Sequence, residues 1–225
     1  MSVAATAIVP LRHSSRRVPQ KNYREFAGIP LYRHIVQTLL SARHVTQVVI
    51  DTDSDDILRD AATAFPEVVL YERPSEFCGE MLNANDIMAN TLRHVGANAD
   101  VILQTHSTNP LLRADTIDRA IEAFTASAEH DCLLSVTPIQ KRYWTADGRP
   151  LNHDCRELLR TQDLAPLFEE NSCIYLFHRD QFLRTGSRIG DRPMLFPIDP
   201  EEALDIDTEF DMKLVEAVHA MTAAR

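Results

Sequence analysis

Short, nearly continuous apolar runs punctuate the first two-thirds of the chain, at 6–11, 47–51, 68–71, 101–105 and 132–136. Runs of this length, rich in Val, Ile and Leu and without polar alternation, predict strands covered on both faces. Between them, apolar positions recur at helical spacing over 31–42, 55–65, 85–95 and 115–126. Leu31, Ile35, Leu39 and Leu40 fall on one face of the first pattern, and Ile117, Ala120, Ile121 and Phe124 on one face of the last. Ser54, directly ahead of Asp55 and Asp56, reads as an N-cap with a favourable acidic first turn. Strand and helix alternating in this way predict an α/β fold with a Rossmann-like, doubly wound and mainly parallel sheet.

The regularity stops near Gln140. Residues 140–170 carry Lys141, Arg142, Tyr143, Trp144, Gly148, Pro150, His153 and Pro166 with no clear period. The stretch is too long for a simple connection. Its apolar groups (Tyr143, Trp144, Leu151, Leu158, Leu159 and Phe168) need a surface to cover them. Further on, 173–177 and 194–198 read as strands, and 207–220 as a closing helix with Phe210, Leu214, Val215 and Val218 inward. A chain of 225 residues is expected to form one domain, 1–225, with a projecting arm somewhere in 140–195.

Composition narrows the class. Hydrophobic residues make up 44% and charged residues 25%, ordinary values for a globular protein. No apolar run is long enough to span a bilayer, and the first residues do not pair a basic segment with a long apolar one. The expectation is a cytoplasmic protein that engages no membrane. Cys78, Cys132, Cys155 and Cys173 show no C-x-x-C spacing, so free thiols are expected rather than zinc or disulfides. A net charge of -10 argues against nucleic acid as a partner.

Against that acidic balance, Arg12, Arg16, Arg17 and Lys21 crowd in directly behind the first strand run. Such a strand ends at the carboxyl edge of the sheet, where α/β proteins bind ligands. Guanidinium forks and an ammonium placed there suit a polyphosphate; the alternative is a solvated basic loop. Asp205 and Asp207 form a second constellation. In extended backbone, residues i and i+2 share a face, so both carboxylates can converge while Ile206 turns to the core. Two carboxylates beside a phosphate fit Mg²⁺. The alternative is helix capping, for which Asp is well suited.

The basic loop reads Arg12-x-x-Ser15-x-Arg17-x-Pro19-x-Lys21-Asn22. It is followed by Gly28-Ile29-Pro30-Leu31, Asp51-Thr52-Asp53-Ser54, Glu72-Arg73-Pro74, Leu103-Gln104, Asn171-Ser172-Cys173-Ile174-Tyr175 and Asp205-Ile206-Asp207. In this order the motifs resemble those of the sugar-acid cytidylyltransferases, which make CMP-activated sialic acids and their relatives. The resemblance covers nearly the whole chain. It implies transfer of CMP from CTP to the anomeric hydroxyl of a 2-keto sugar acid, with release of pyrophosphate. It assigns Arg12, Ser15, Arg17, Lys21, Asn22 and Arg73 to CTP, with Arg73 near the cytosine. Arg12, Lys21 and Asp207 become the catalytic set, and Asp205 and Asp207 the Mg²⁺ ligands. Gln104, Arg160, Gln162, Asn171 and Tyr175 would bind the sugar acid. The arm would dock into a second copy of the chain, giving a homodimer with Arg188 and Arg192 as contributors across the interface. Two departures stand out: His13 and Ser14 replace a Gly-Gly pair, and 105–109 is longer by two residues than the family form. Rival readings are a nucleotidyltransferase for another sugar, or a non-catalytic protein that binds sugar nucleotides on the same fold.

Overall fold

The first apolar run forms β1 (Ala5–Leu11) in a computed structural model that describes residues 3–15, 17–78, 82–157 and 159–223. Arg16 and Leu158 lie outside the described residues. β4 (Val45–Thr52) and β6 (Val101–Gln104) pair in parallel on either side of β1. β5 (Val69–Glu72) adds in parallel beyond β4. On the other side, β8 (Leu167–His178) runs antiparallel to both β6 and β7 (Cys132–Ile139). β9 (Pro193–Pro197) closes the edge parallel to β7. The seven-stranded order is β5-β4-β1-β6-β8-β7-β9. The sheet is mainly parallel, as the alternation predicts, and β8 alone runs against the common direction.

β1 is buried on both faces, which is why its sequence reads as a continuous apolar run. Ala5, Ala7, Val9 and Leu11 face α1 (Leu31–Ser41), α2 (Asp55–Ala64) and α4 (Ala114–Ala126). Ile8, with Ile102, Tyr175 and Phe177, faces Met88 and Leu92 of α3 (Ala84–His94) and Phe182 of α5 (Arg179–Thr185). Ser54 caps α2 as expected, accepting from the Ile57 N–H at 3.4 Å. Leu40 is exposed rather than inward, because the buried face of α1 is centred on Tyr32, Ile35, Val36 and Leu39.

Between β1 and α1 stands a small hairpin, β2 (Glu25–Phe26) with β3 (Ile29–Pro30). Its two turn residues, Ala27 and Gly28, have φ of 47° and 88°. A tight I′ hairpin turn needs both left-handed, and glycine takes that backbone without strain. Phe26 joins a third cluster with Val18, Leu31, Ile206 and two residues of α6 (Glu209–Ala223), Met212 and Val215. Helix α6 is therefore turned differently from its predicted phase. Phe210 and Leu214 face solvent, two residues ahead of Met212 and one before Val215, where a period of 3.6 cannot bring them inward.

The arm is the segment between β7 and β8. Trp144 and Pro150 form an isolated bridge around a turn at Gly148, and Trp144 and Leu151 are 56% and 59% exposed. Where β8 leaves the arm it bulges against β7, the register shifting between Leu134 and Val136. Ser135 and Asn171 replace the missing ladder bonds there. The Ser135 hydroxyl donates to Asn171 Oδ1 at 2.6 Å and accepts from the Ile174 N–H at 2.8 Å. Ser172, in the place of the family's glycine, sits at φ 60° within this bulge.

Beneath the carboxyl edge lies a buried ion pair. Arg73 Nε donates to Asp51 Oδ1 at 2.8 Å, and Nη2 donates to the carbonyls of Asp51 (2.9 Å) and Leu11 (3.2 Å). The Thr91 hydroxyl donates to Asp51 Oδ2 at 2.5 Å. Burial pushes the Asp51 carboxyl above its usual range, and Arg73 and Thr91 pull against that rise. Removing one partner strands a charge in the interior. Asp51→Ala is expected to lower stability by about 3–5 kcal/mol; a urea midpoint equal to wild type would contradict this.

Candidate active site

A cleft of about 620 Å³ opens on the carboxyl edge. Its walls are the loop segments at the ends of the parallel strands: Arg12, Ser14, Ser15, Arg17, Lys21 and Asn22 after β1, Asp53 after β4, Arg73 after β5, and His106, Ser107 and Thr108 after β6. The chain runs outward from β1 through β4 to β5 and then returns across β1 to β6. This is a topological switch point, where open α/β sheets bind ligands. All six residues that the sequence assigned to the nucleotide line this cleft: Arg12, Ser15, Arg17, Lys21, Asn22 and Arg73.

The loop is held by its own side chains. Val18 is fully buried and fastens its middle. Asn22 Nδ2 donates to the Arg12 carbonyl at 2.8 Å, while its Oδ1 accepts from the Ser107 hydroxyl at 2.6 Å. Asn22 thus clips the loop closed and ties it to the segment after β6. Ser15 Oγ accepts from the Val18 N–H at 3.4 Å. Arg12 reaches the Leu82 carbonyl at 3.3 Å. His13, which stands at a glycine position of the family pattern, is engaged elsewhere. Its N–H donates to Asp53 Oδ1 at 2.6 Å, and its Nδ1 lies 3.0 Å from the Ser54 hydroxyl. Asp53 is a site residue that sequence reasoning missed; its position in Thr-Asp-Ser was the available signal.

The two constellations meet. Lys21 Nζ donates to the Ile206 carbonyl at 2.8 Å and to Asp207 Oδ1 at 3.3 Å. Arg17 Nη2 donates to the same oxygen at 2.8 Å. Residues 205–207 are irregular extended backbone rather than a strand, but the alternation holds: Ile206 is fully buried between its two acidic neighbours. The capping alternative fails for Asp207. Helix α6 is capped by Thr208, whose hydroxyl accepts from the Asp211 N–H at 3.2 Å, while Asp211 Oδ2 accepts from the Thr208 N–H at 2.7 Å. That reciprocal pair is a capping box, and it employs Asp211 and leaves Asp207 to the cations.

Asp205 is exposed, yet the protein packed around it raises its carboxyl above the usual range. The Thr108 side chain opposes the rise and the Asp207 charge adds to it. Two mutually repelling carboxylates fit a hard divalent cation, which neutralises both. The described residues hold no cluster of three or more metal-ligating side chains. Mg²⁺ takes one or two carboxylates and completes its shell with water and phosphate oxygens, and Asp205 and Asp207 are the two carboxylates present to hold it.

Arg73 lines the cleft but is not a surface turn residue. Its Nε and Nη2 are committed to Asp51 and Leu11, so its first role is to hold strand ends. The separation of 22 residues from Asp51 left no sequence signal for that role. The residues assigned to the sugar divide into two groups. Gln104 and Tyr175 are directly paired across β6 and β8, with the Gln104 side chain fully buried; neither lines the cleft, whose wall here is His106. Asn171 uses both ends of its amide inside the β8 bulge, its Nδ2 donating to Thr137 Oγ1 at 3.1 Å. Arg160 and Gln162 sit on the arm, exposed. Arg160 pairs with Asp163 through Nε (2.7 Å) and Nη2 (3.1 Å). Arg188, expected as a contributor across an interface, stacks on Tyr175 of its own chain. The Arg192 N–H donates to Asp131.

A family model described as cytidylyltransferase matches residues 6–218. The CMP-N,N'-diacetyllegionaminic acid synthase of Legionella pneumophila is 27% identical over 93% of this chain and 94% of its own length. The post-translational flagellin modification protein B of Campylobacter coli is 23% identical over 91% and 90%. N-acylneuraminate cytidylyltransferase A of Danio rerio is 24% identical over 94% of this chain, which spans 50% of that protein. Among solved structures, a CMP:2-keto-3-deoxy-manno-octonic acid synthetase complexed with CTP shares the fold. Its TM-score is 0.71 at 16% identity, over 97% of this chain and 99% of that one.

The capping box and the cation cluster make separable predictions. Thr208→Ala should cost about 1 kcal/mol by loss of the cap. Asp207→Asn, which weakens the ion pairs of a partly exposed carboxylate with Arg17 and Lys21, should change stability by less than about 1 kcal/mol. Chemical denaturation of the two variants checks both values, and equal losses would return Asp207 to a capping role.

Proposed function

This chain belongs to the cytidylyltransferase family, and from that footing we propose that it transfers CMP from CTP to the anomeric hydroxyl of a 2-keto sugar acid. The observation that carries the reading is the meeting of Arg17 and Lys21 with Asp207 at the mouth of the carboxyl-edge cleft. The triphosphate takes the place of Asp207 as anionic partner of the basic loop, with Arg12 and Ser15 adding donors along it. Lys21, anchored on the Ile206 carbonyl, stands where charge develops on the leaving pyrophosphate.

The sugar hydroxyl oxygen forms a bond to the α-phosphorus as the bond from that phosphorus to the pyrophosphate oxygen breaks. The hydroxyl proton passes to solvent, and no covalent enzyme intermediate is needed. Burial, with the Arg188 and Lys21 charges, pushes His106 down to about 4, so its imidazole is too weak a base to take that proton at neutral pH. Catalysis is then positioning and charge neutralisation. Asp205 and Asp207 would hold Mg²⁺, which supplies neutralisation of the phosphate charge and acidifies a bound hydroxyl.

The exposed arm supports a homodimer. Trp144, Leu151 and Leu159 stand out from it, and Phe168 from the start of β8, beside the cleft edge of β7 and β8, and a two-fold contact between copies is the commonest way to cover such a surface. In that assembly Arg160 and Gln162 approach the partner's sugar. Light scattering at micromolar concentration should give twice the mass of one chain; a fully active monomer overturns the dimer.

Pyrophosphate release from CTP, Mg²⁺ and each of four acids, with products identified by mass, tests the activity. The acids are N-acetylneuraminic, N,N'-diacetyllegionaminic, pseudaminic and 2-keto-3-deoxy-manno-octonic acid. CTP binding without turnover of any of them would favour a non-catalytic role. Asp207→Asn should lower turnover at least about 100-fold, on the scale of losing one charge-stabilising group from a transition state. Lys21→Ala should lower kcat more than it raises the KM for CTP, because its ammonium acts on the transition state. Wild-type kinetics in Lys21→Ala would leave the loop a solvated charge cluster.

A further inference from the structure

Around His106, which lines the cleft, several buried polar groups lack partners among the described residues. Gln104 is completely buried, and neither end of its amide has a hydrogen-bond partner among the described residues. The Thr105 hydroxyl beside it is buried and unpaired too. Nη1 of Arg188 is likewise buried without a partner. A buried amide left unsatisfied is costly, and a buried unpaired charge more so. Such groups persist where a ligand completes them.

Arg188 is also held in place. Its guanidinium lies over the Tyr175 ring, 3.7 Å from the centroid. Tyr175 is itself fixed, because its hydroxyl donates to Glu170 and lies 3.0 Å from Ser172 Oγ. Gln104 lies directly across from Tyr175 in the sheet, so the free amide is on the same face as the ring that carries the guanidinium. His106 meets the same ring edge-on, 6.5 Å away, and its low basicity keeps it neutral under the nearby Arg188 charge. No second cation is therefore contributed by His106, and the guanidinium is the charged group of the platform.

We infer that Arg188, stacked on Tyr175 of its own chain, is the anchor for the carboxylate of the acceptor, and that the free Gln104 amide reads a neighbouring hydroxyl or amide of the same molecule. The inference rests on the proposed transfer to a sugar acid and goes beyond it by making discrimination between acid and neutral acceptor an intrachain property. A planar fork held flat on a ring presents two donors in one plane, which matches a carboxylate and is lost on replacement by lysine. Arg160, on the arm, is already paired with Asp163 and is left to lesser contacts.

The test uses the full-length protein with CTP, Mg²⁺ and whichever of the four acids it turns over, together with the C1-carboxamide of that acid. Wild type should use the carboxamide at least about 10-fold less efficiently than the acid, the scale of one charge-assisted hydrogen bond. Arg188→Gln should raise the KM for the acid by about 10- to 100-fold, leave the KM for CTP unchanged, and abolish the preference for acid over carboxamide. Arg188→Lys should restore part of that preference. Wild-type discrimination needs no variant, so an unstable Arg188→Gln still leaves the first measurement decisive. Equal use of acid and carboxamide by wild type overturns the inference, as does an unchanged acceptor KM in a folded Arg188→Gln protein. In both cases turnover of the acid leaves the proposed activity standing. No turnover of any acid by wild type overturns both readings together.

Discussion

The cleft depends on one buried guanidinium. Arg73 reaches from the end of β5 under the end of β4 to the end of β1, and its charge is balanced by Asp51, which Thr91 of α3 also holds. Hydrogen bonds within the sheet fix the strands along their length but end where the loops begin. The Arg73 network carries the order one step further, into the residues from which the loops spring. The loop behind β1 then inherits a fixed origin, and Val18, buried against Ile206 in the third cluster, fixes its far side. With both sides set, Lys21 and Arg17 have little choice but to face Asp207.

Much of this was legible in the chain because the signals were local. The strand at 6–11, the capped helix behind Ser54 and the helix at 115–126 each rest on residues adjacent or one turn apart. The basic loop was legible for the same reason, since its cations are contiguous. The features that escaped depend on a distant partner. Arg73 looked like a base reader because Asp51 lies far back in sequence. The stacking of Arg188 on Tyr175 escaped because nothing local ties the two together. The phase of α6 was misread because apolar residues occupy both sides of it, and only Ile206, just outside the helix, decides which side is buried.

The two departures from the family pattern have physical readings. His13, in a glycine's place, is tied back to Asp53 and Ser54, so the loop gains a tether to β4 where glycine would give backbone freedom. The longer segment after β6 brings His106 against Tyr175, and Ser107 to Asn22. The loop after β1 and the segment after β6 are thereby joined through one hydroxyl and one amide.

The reversed direction of β8 decides where the arm emerges. β7 ends at the carboxyl edge, and only a strand running back down can begin there, so the chain between them is extruded at the rim of the cleft. A parallel β8 would have to start at the opposite edge, roughly 23 Å away for a strand of the seven residues of β1. An assembly built through that arm would then be remote from the chemistry. With the present topology the arm stands at the rim of the cleft, so in the proposed homodimer a second copy gripping it would sit at the entrance. Association and access would then be one geometric question, and dilution of the protein would act on the doorway before it acted on the fold.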